Sequence, residues 1–239
     1  MDDSDINSVD LMNLTKEGYD LIAKDWSSTR QSFWPELTGK INDFILSNNY
    51  NNRIMLLDIG CGNGRLLSVA DKENVSYLGV DVSINLLAIA KSTYKDKQFA
   101  LIDPMLEGLN RIDDIYNSNA DAKFDRIVSI AVLHHIPKEE VKGWLQNIWN
   151  AAEDDAHLLF TTWNMDQTYY ELDEDGDAVI GFMNYKNVRY VHNYTYSEIT
   201  EAFESVGFKI LDIYDLKRST NSGMSNTVIL AKKPYKYEK

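Results

Sequence analysis

Hydrophobic positions along the chain change period several times, and each change marks an element. Between Thr15 and Arg30, Tyr19, Ile22, Ala23 and Trp26 return at helical spacing. From Pro35, a residue suited to the first helical position, Leu37, Ile41, Phe44 and Ile45 repeat the stripe. The period then collapses. Ile54–Leu57 is a continuous apolar run bounded by turn signals, which predicts a strand buried on both faces of a parallel sheet. Ser76–Val82, Gln98–Ile102, the start of Asp125–Pro137 and His157–Trp163 predict further strands. Helices are expected between them: one from about Asn63 to Asp71, and one capped by Ser83 and running to about Thr93 with Leu87, Ala88 and Lys91. A loose stripe covers Leu106–Tyr116, and the cleanest one, Val141, Trp144, Leu145, Ile148, Trp149 and Ala152, follows Pro137. Thr195 and Glu198 form a capping box for a helix on Ile199, Ala202, Phe203 and Val206, stopped by Gly207. Two β-type runs, Phe208–Leu216 and Thr227–Ala231, close the chain as an antiparallel pair across STNSGMSN. This alternation predicts one doubly wound α/β domain over residues 15–239, with about seven mostly parallel strands and an antiparallel C-terminal strand, preceded by an acidic, mobile terminus at 1–14.

Composition narrows the function. The chain has 239 residues, 44% of them hydrophobic, enough for one large core. It has no apolar run of membrane-spanning length, and its first residues lack the basic-then-apolar layout of a secretion signal. A soluble, cytoplasmic chain with a possible nuclear fraction is expected. Cys61 is the only cysteine, which excludes a disulfide framework and a cysteine zinc site. The net charge of −13 argues against a surface wholly devoted to nucleic acid, yet from Lys186 onward nine Lys/Arg face six Asp/Glu, against fifteen and thirty-one before it. That basic C-terminal region reads either as phosphate-contact surface or as ordinary surface lysines.

Candidate chemistry sits at the ends of the predicted strands. Gly60, Gly62 and Gly64 remove side chains where the backbone bends and a ligand approaches the main chain, and the implied ligand is a nucleoside. A dinucleotide fingerprint is spaced G-x-G-x-x-G, but Arg65 stands where its last glycine belongs, and no Lys-Ser/Thr follows to make a phosphate loop. Asp81 ends the second strand seventeen residues past Gly64, close to where a carboxylate accepts hydrogen bonds from both ribose hydroxyls. Asp103-Pro104-Met105 ends the third, as an adenine contact or an ordinary turn. His134 and His135 follow the fourth; neighbours in sequence cannot point the same way, so at most one of them faces the substrate. Trp163-Asn164 ends the fifth as a pocket wall or a wet strand end. ELDEDGD at Glu171–Asp177 imitates a calcium loop, but Ala178 and Asn184 fall where glycine and glutamate are required; it reads as a solvated acidic loop, and no metal site is expected.

The D-x-G-x-G-x-G form from Asp58 resembles motif I of the class I S-adenosylmethionine-dependent methyltransferases. With YDLIAKDWSSTR, Phe33-Trp34-Pro35, SIAVLHHIP and RYVHNYTYSEI, the chain over about residues 15–232 resembles the eukaryotic tRNA methyltransferases that esterify 5-carboxymethyluridine at the wobble position. It departs at Ile180-Gly181-Phe182, where a Val-Pro-Trp type of element is expected. The resemblance implies a Rossmann-like fold and S-adenosyl-L-methionine held by Tyr19, Asp58, Gly60, Cys61, Gly62, Asn63, Gly64, Asp81, Val82, Ser83, Asp103, Pro104, Met105, Ile130, Ala131 and His135. It further implies acceptor chemistry at Arg30, His134, Arg189 and His192, with the base held by Trp163, Tyr190 and Tyr194. It also implies two partners: the tRNA anticodon loop, and a small zinc-binding activator that forms a heterodimer by adding a strand at Gln98–Ile102. A carboxylate acceptor is already ionised at neutral pH, so alignment rather than a general base is required; a phenol acceptor would need His134 or His135 as base. A small-molecule O- or N-methyltransferase and a non-catalytic scaffold subunit are the competing readings.

Overall fold

The computed structural model describes residues 7–46, 53–103, 109, 123–165, 171–217 and 225–235. Pro104, Met105 and, apart from the buried Leu109, the stripe at Leu106–Tyr116 lie outside them. The elements in order are α1 (Ser8–Ser28), α2 (Pro35–Leu46), β1 (Ile54–Ile59), α3 (Leu67–Ala70), β2 (Val75–Asp81), α4 (Ile84–Thr93), β3 (Gln98–Leu101) and β4 (Phe124–Ile130). A short 3-10 turn (Leu133–His135) follows, then α5 (Val141–Ala151), β5 (Ala152–Asn164), β6 (Asp177–Phe182), β7 (Tyr185–His192), α6 (Tyr196–Val206), β8 (Lys209–Lys217) and β9 (Ser225–Lys232).

Seven strands form one sheet in the order β3-β2-β1-β4-β5-β9-β8. The pairs from β3 to β5 are parallel, and β9 runs antiparallel to both β5 and β8. Alternate residues of β1 serve opposite faces, as the pleat requires. Leu56 packs with Leu37 and Ile41 of α2 and Leu87 of α4. Leu57 packs on the other side with Trp144, Leu145 and Ile148 of α5 and Phe203 of α6. The strands therefore read as continuous apolar runs because both faces are covered. The order reverses at β1/β4, and an open α/β sheet binds its ligands outside the carboxyl ends of the strands at that point.

Three expectations need correction. Helix α1 starts at Ser8, inside the stretch read as an aperiodic terminus, because the Asn7 side chain caps it by accepting the Asp10 N–H at 3.1 Å. The helix expected from Asn63 shrinks to α3. Gly60, Gly62 and Gly64 hold φ at +69°, +56° and +79°, which keeps the chain in tight turns until Arg65. The acidic run is not simply a solvated loop: Asp173 accepts the N–H groups of Asp175 and Asp177, making a turn that starts a separate β6–β7 hairpin.

That hairpin is seated on α1. A Cβ added to Gly18 would lie 1.7 Å from the Val188 carbonyl oxygen, so only glycine lets the helix lie flat on β7. Thr15 donates to Leu11 and accepts the Tyr190 N–H at 3.0 Å on the same contact.

Candidate active site

A cavity of about 750 Å³ opens at the carboxyl ends of β1, β2, β4 and β5, roofed by α1 and the hairpin. Its first half is built by β1, β2 and the glycine turn. Gly60, Cys61 and Gly62 line it. A Cβ on Gly60 would sit 2.3 Å from Val132, and one on Gly62 would press on Trp26 at 3.1 Å, so these two glycines keep the passage open. Asp58, one residue before the end of β1, is buried on the cavity wall, where it accepts the Tyr77 hydroxyl at 2.7 Å. Asp81 ends the next strand and accepts the N–H groups of Gly62 at 2.7 Å and Ser83 at 2.8 Å, one on each oxygen. The carboxylate lines the cavity, where it can also accept from a ligand hydroxyl. Burial pushes both carboxyls up, Asp58 to about 7 and Asp81 to about 6. Two desolvated acids on one wall call for a ligand that brings a cation and hydroxyl donors. Val82, Asp103, Ile130 and Ala131 complete this half. Ala131 holds φ at +59° because its N–H is fixed by both the carbonyl and the hydroxyl of Thr161.

Three expected contacts serve the frame instead of the cavity. Asn63 ties the turn to α1 by donating to Ser27 Oγ and the Arg30 carbonyl. Gly64 backs onto Tyr94 and Phe99. Ser83 caps α4 and donates to Asp20 of α1 at 2.6 Å. Burial pushes the Cys61 thiol well above its ordinary value, so it packs as a neutral group.

The second half is lined by aromatic and cationic groups. Arg189 of β7 is 2% exposed, and its guanidinium lies 5.6, 5.7 and 5.5 Å from the ring centres of Tyr19, Trp163 and Phe182. It donates to the Gly181 carbonyl at 2.9 Å, and its Nε has no partner among the described residues. Arg30, at the end of α1, spans Trp26 and Phe182 across the mouth at 5.1 and 5.3 Å. His135 faces Tyr19. Its Nδ1 lies 2.7 Å from the Tyr190 carbonyl, which only accepts, so Nδ1 carries the proton and Nε2 accepts the Tyr19 hydroxyl at 2.8 Å. Burial and the Arg189 charge push the imidazole down to about 3, so it is neutral.

Other expected acceptor residues turn away. His134 is fully buried behind Trp163, stacked on it with ring centres 4.3 Å apart and accepting its N–H at 3.3 Å. His192 pairs with Asp177 at 2.6 Å, and Tyr190 donates to the same Asp177 oxygen at 2.8 Å. Tyr194 donates to the Ile136 carbonyl at 2.9 Å. All four lie outside the cavity lining, and they fasten the hairpin and the wall. The reason is parity: on β7, Arg189 points to the cavity, so Tyr190 and His192 point away. Sequence reading missed Trp26, Phe33, Trp34, Arg65, Phe182 and Asn226, which do line the cavity. Trp26 and the Phe33-Trp34 pair are motif residues, and Phe182 lies in the Ile180-Gly181-Phe182 element that departs from the family pattern; Asn226 carries no sequence signal.

Residues 28–213 match the methyltransferase-domain family Methyltransf_23, and the chain belongs to that family. It is a class I methyltransferase domain whose methyl donor is S-adenosyl-L-methionine, and the acids and the glycine turn described above fit that donor's ammonium and ribose. Among curated relatives, the tRNA (carboxymethyluridine(34)-5-O)-methyltransferase of Schizosaccharomyces pombe is 26% identical over 221 residues, 81% of this chain and 88% of the relative. The tRNA (carboxymethyluridine(34)-5-O)-methyltransferase alkbh8 of Xenopus tropicalis is 32% identical over 154 residues, 63% of this chain, which spans only 21% of that longer protein. A ubiquinone biosynthesis O-methyltransferase of Coxiella burnetii is 27% identical over 161 residues, 66% of this chain and 64% of the relative. The fold is shared with the Burkholderia thailandensis 1,6-didemethyltoxoflavin-N1-methyltransferase at a TM-score of 0.68 and 14% identity, covering 98% of this chain and 93% of the other. Among the described residues, no helix is long and apolar enough to cross a membrane.

Proposed function

We propose that this methyltransferase esterifies the carboxylate of 5-carboxymethyluridine at the wobble position of tRNA, acting in the cytoplasm. The observation that carries the reading is Arg189, a buried guanidinium in the cavity with an unpartnered Nε and no salt-bridge partner among the described residues. A buried charge without a counterion is costly, and an acceptor carboxylate supplies that counterion. The histidines support the same acceptor. His135 is held neutral with Nε2 occupied by Tyr19, and His134 is sealed behind Trp163, so neither serves well as the base that a phenol requires.

Bound S-adenosyl-L-methionine supplies an electrophilic sulfonium methyl. The protein's task is to align the acceptor and exclude water. Arg189, steadied by the Gly181 carbonyl and the three rings, orients the carboxylate without taking its proton. Arg30 closes the mouth between Trp26 and Phe182. Such positioning contributes on the order of 7–11 kcal/mol to barrier reduction in well-aligned systems.

The activator partner belongs to the same proposal. β3 is an outer strand of the sheet, with Leu101 45% exposed, and an added strand from a partner would continue the ladder there. The test is methyl transfer to tRNA carrying 5-carboxymethyluridine, with and without the activator, read by nucleoside mass spectrometry. The methyl ester is expected, more strongly with the activator. Transfer to a phenolic quinone precursor and none to the nucleoside would instead assign the small-molecule reading.

A further inference from the structure

We propose that Tyr77 is a positioning residue of the donor site: reaching across Gly79, its hydroxyl holds and orients the Asp58 carboxylate for the donor's ammonium group. The inference rests on the donor reading of the cavity and assigns a role to two residues outside its lining.

Strand geometry produces the contact. Tyr77, Gly79 and Asp81 occupy alternate positions of β2 and so share one face. Gly79 is paired in register with Asp58 of β1 on one side and with Phe99 of β3 on the other. A Cβ at position 79 would lie 2.7 Å from the Tyr77 hydroxyl oxygen, 2.8 Å from Cys61 Sγ and 2.9 Å from Phe99 Cδ1. The missing side chain is therefore the slot through which the phenol passes. Phe99 meets the tyrosine ring edge-on with centres 5.7 Å apart and holds it there. The hydroxyl, fully enclosed, then donates to Asp58 Oδ2 at 2.7 Å. Among the described residues only that oxygen is capped, which leaves the other for the donor's ammonium.

The electrostatics make this contact consequential. Asp58 is surrounded by burial and by Asp81, which raise its pKa, and by Tyr77 and Arg65, which lower it; Cys61 beside them is neutral. The balance leaves it at about 7. A proton on Asp58 competes with a cationic ligand, so the free carboxyl sits where small changes alter donor affinity. Tyr77 itself is pushed well above its ordinary value by burial and by Asp58, so it stays a donor throughout the working range.

Calorimetric binding of S-adenosylmethionine to the full chain from pH 6 to 8.5, for wild type and Tyr77→Phe, tests the assignment. The donor's own amino group loses its charge near the top of this range, but that loss is common to both proteins and cancels in their ratio. The variant is expected to bind about tenfold more weakly at pH 6 and within about twofold at pH 8.5, because losing the hydrogen bond favours the protonated carboxyl. Gly79→Ala should reproduce that pH-dependent ratio by displacing the phenol. A ratio that stays flat with pH, whether near one or not, overturns the proposal, since a purely structural tyrosine would weaken binding equally at every pH. Carbon-13 NMR titration of Asp58 without donor is the second readout, with an upward move expected in Tyr77→Phe. An upward move beside a flat binding ratio overturns the role while leaving the contact intact. If wild type binds no donor at any pH, the donor reading itself has failed, and the inference falls with it.

Discussion

The two ends of the cavity carry opposite unpaired charge. At one end Asp58 and Asp81 are buried acids without a salt-bridged cation among the described residues; at the other Arg189 is a buried cation without an acid. A protein selected for stability alone would pair such groups or replace them with apolar ones. Kept apart in one enclosure, they suit a cationic donor at one end and, on the function proposed above, an anionic acceptor at the other. The contrast also lies in construction. The acid end is made by two neighbouring parallel strands and a turn, whereas the cationic end needs α1, β5 and the hairpin to meet.

Replacing Arg189 with Met should separate the ends most sharply. We expect kcat/KM for the carboxymethyl nucleoside in tRNA to fall about 100–1,000-fold, with donor affinity unchanged and thermal stability equal or higher. A parallel loss of donor binding in calorimetry would show that the ends are not independent. Asp81→Ala is the converse. It should weaken donor binding about 30–100-fold through the lost charged acceptor, with the KM for the nucleoside much less affected.

The acids also set a pH signature. Their folded pKa values, about 7 and about 6, lie above the ordinary carboxylate value of 3.8, so the folded state binds more protons than the unfolded state between those limits. Stability of the donor-free chain therefore falls as pH rises from about 4 through 7. For Asp58 alone the loss is on the order of 2 kcal/mol between pH 5 and 7. Denaturant midpoints of wild type and Asp58→Asn across that range give the comparison; the Asn variant should lose most of the slope. The smallest effect is a control far from both ends. Thr195→Ala breaks the capping box of α6 and should cost about 1 kcal/mol of stability, with donor binding and KM unchanged.

How far each end was legible follows from how it is made. Asp58, Gly60, Gly62 and Asp81 declare themselves because strand, turn and acid follow one another along a short stretch, and period and spacing are local properties. The core helices are equally plain: α2, α5 and α6 bury most of the stripes read from the chain, with Trp149 and Val206 half-buried and Ala152 falling in β5. Arg189 is placed by a motif and Trp163 by the end of a predicted strand, yet Tyr190, His192 and His134 are expected beside them and lie outside the cavity lining. No strand is expected from the sequence at Arg189–His192, so the parity under which consecutive side chains take opposite faces is not seen. Phe182 lies in an element the sequence singles out, but it reaches the cavity because the β6–β7 hairpin folds back on α1, a long-range event.

Gly18 gives that long-range event a direction in time. The acids of the donor end lie on strands complete by Asp81, whereas α1, which precedes them in the chain, meets its hairpin seat at Val188 only after most of the described residues have followed. Until then α1 has its ties to Asn63, Ser83 and Asn85 at the donor end to hold it. A growing chain thus acquires its half-site for the methyl donor before it acquires a wall for the acceptor.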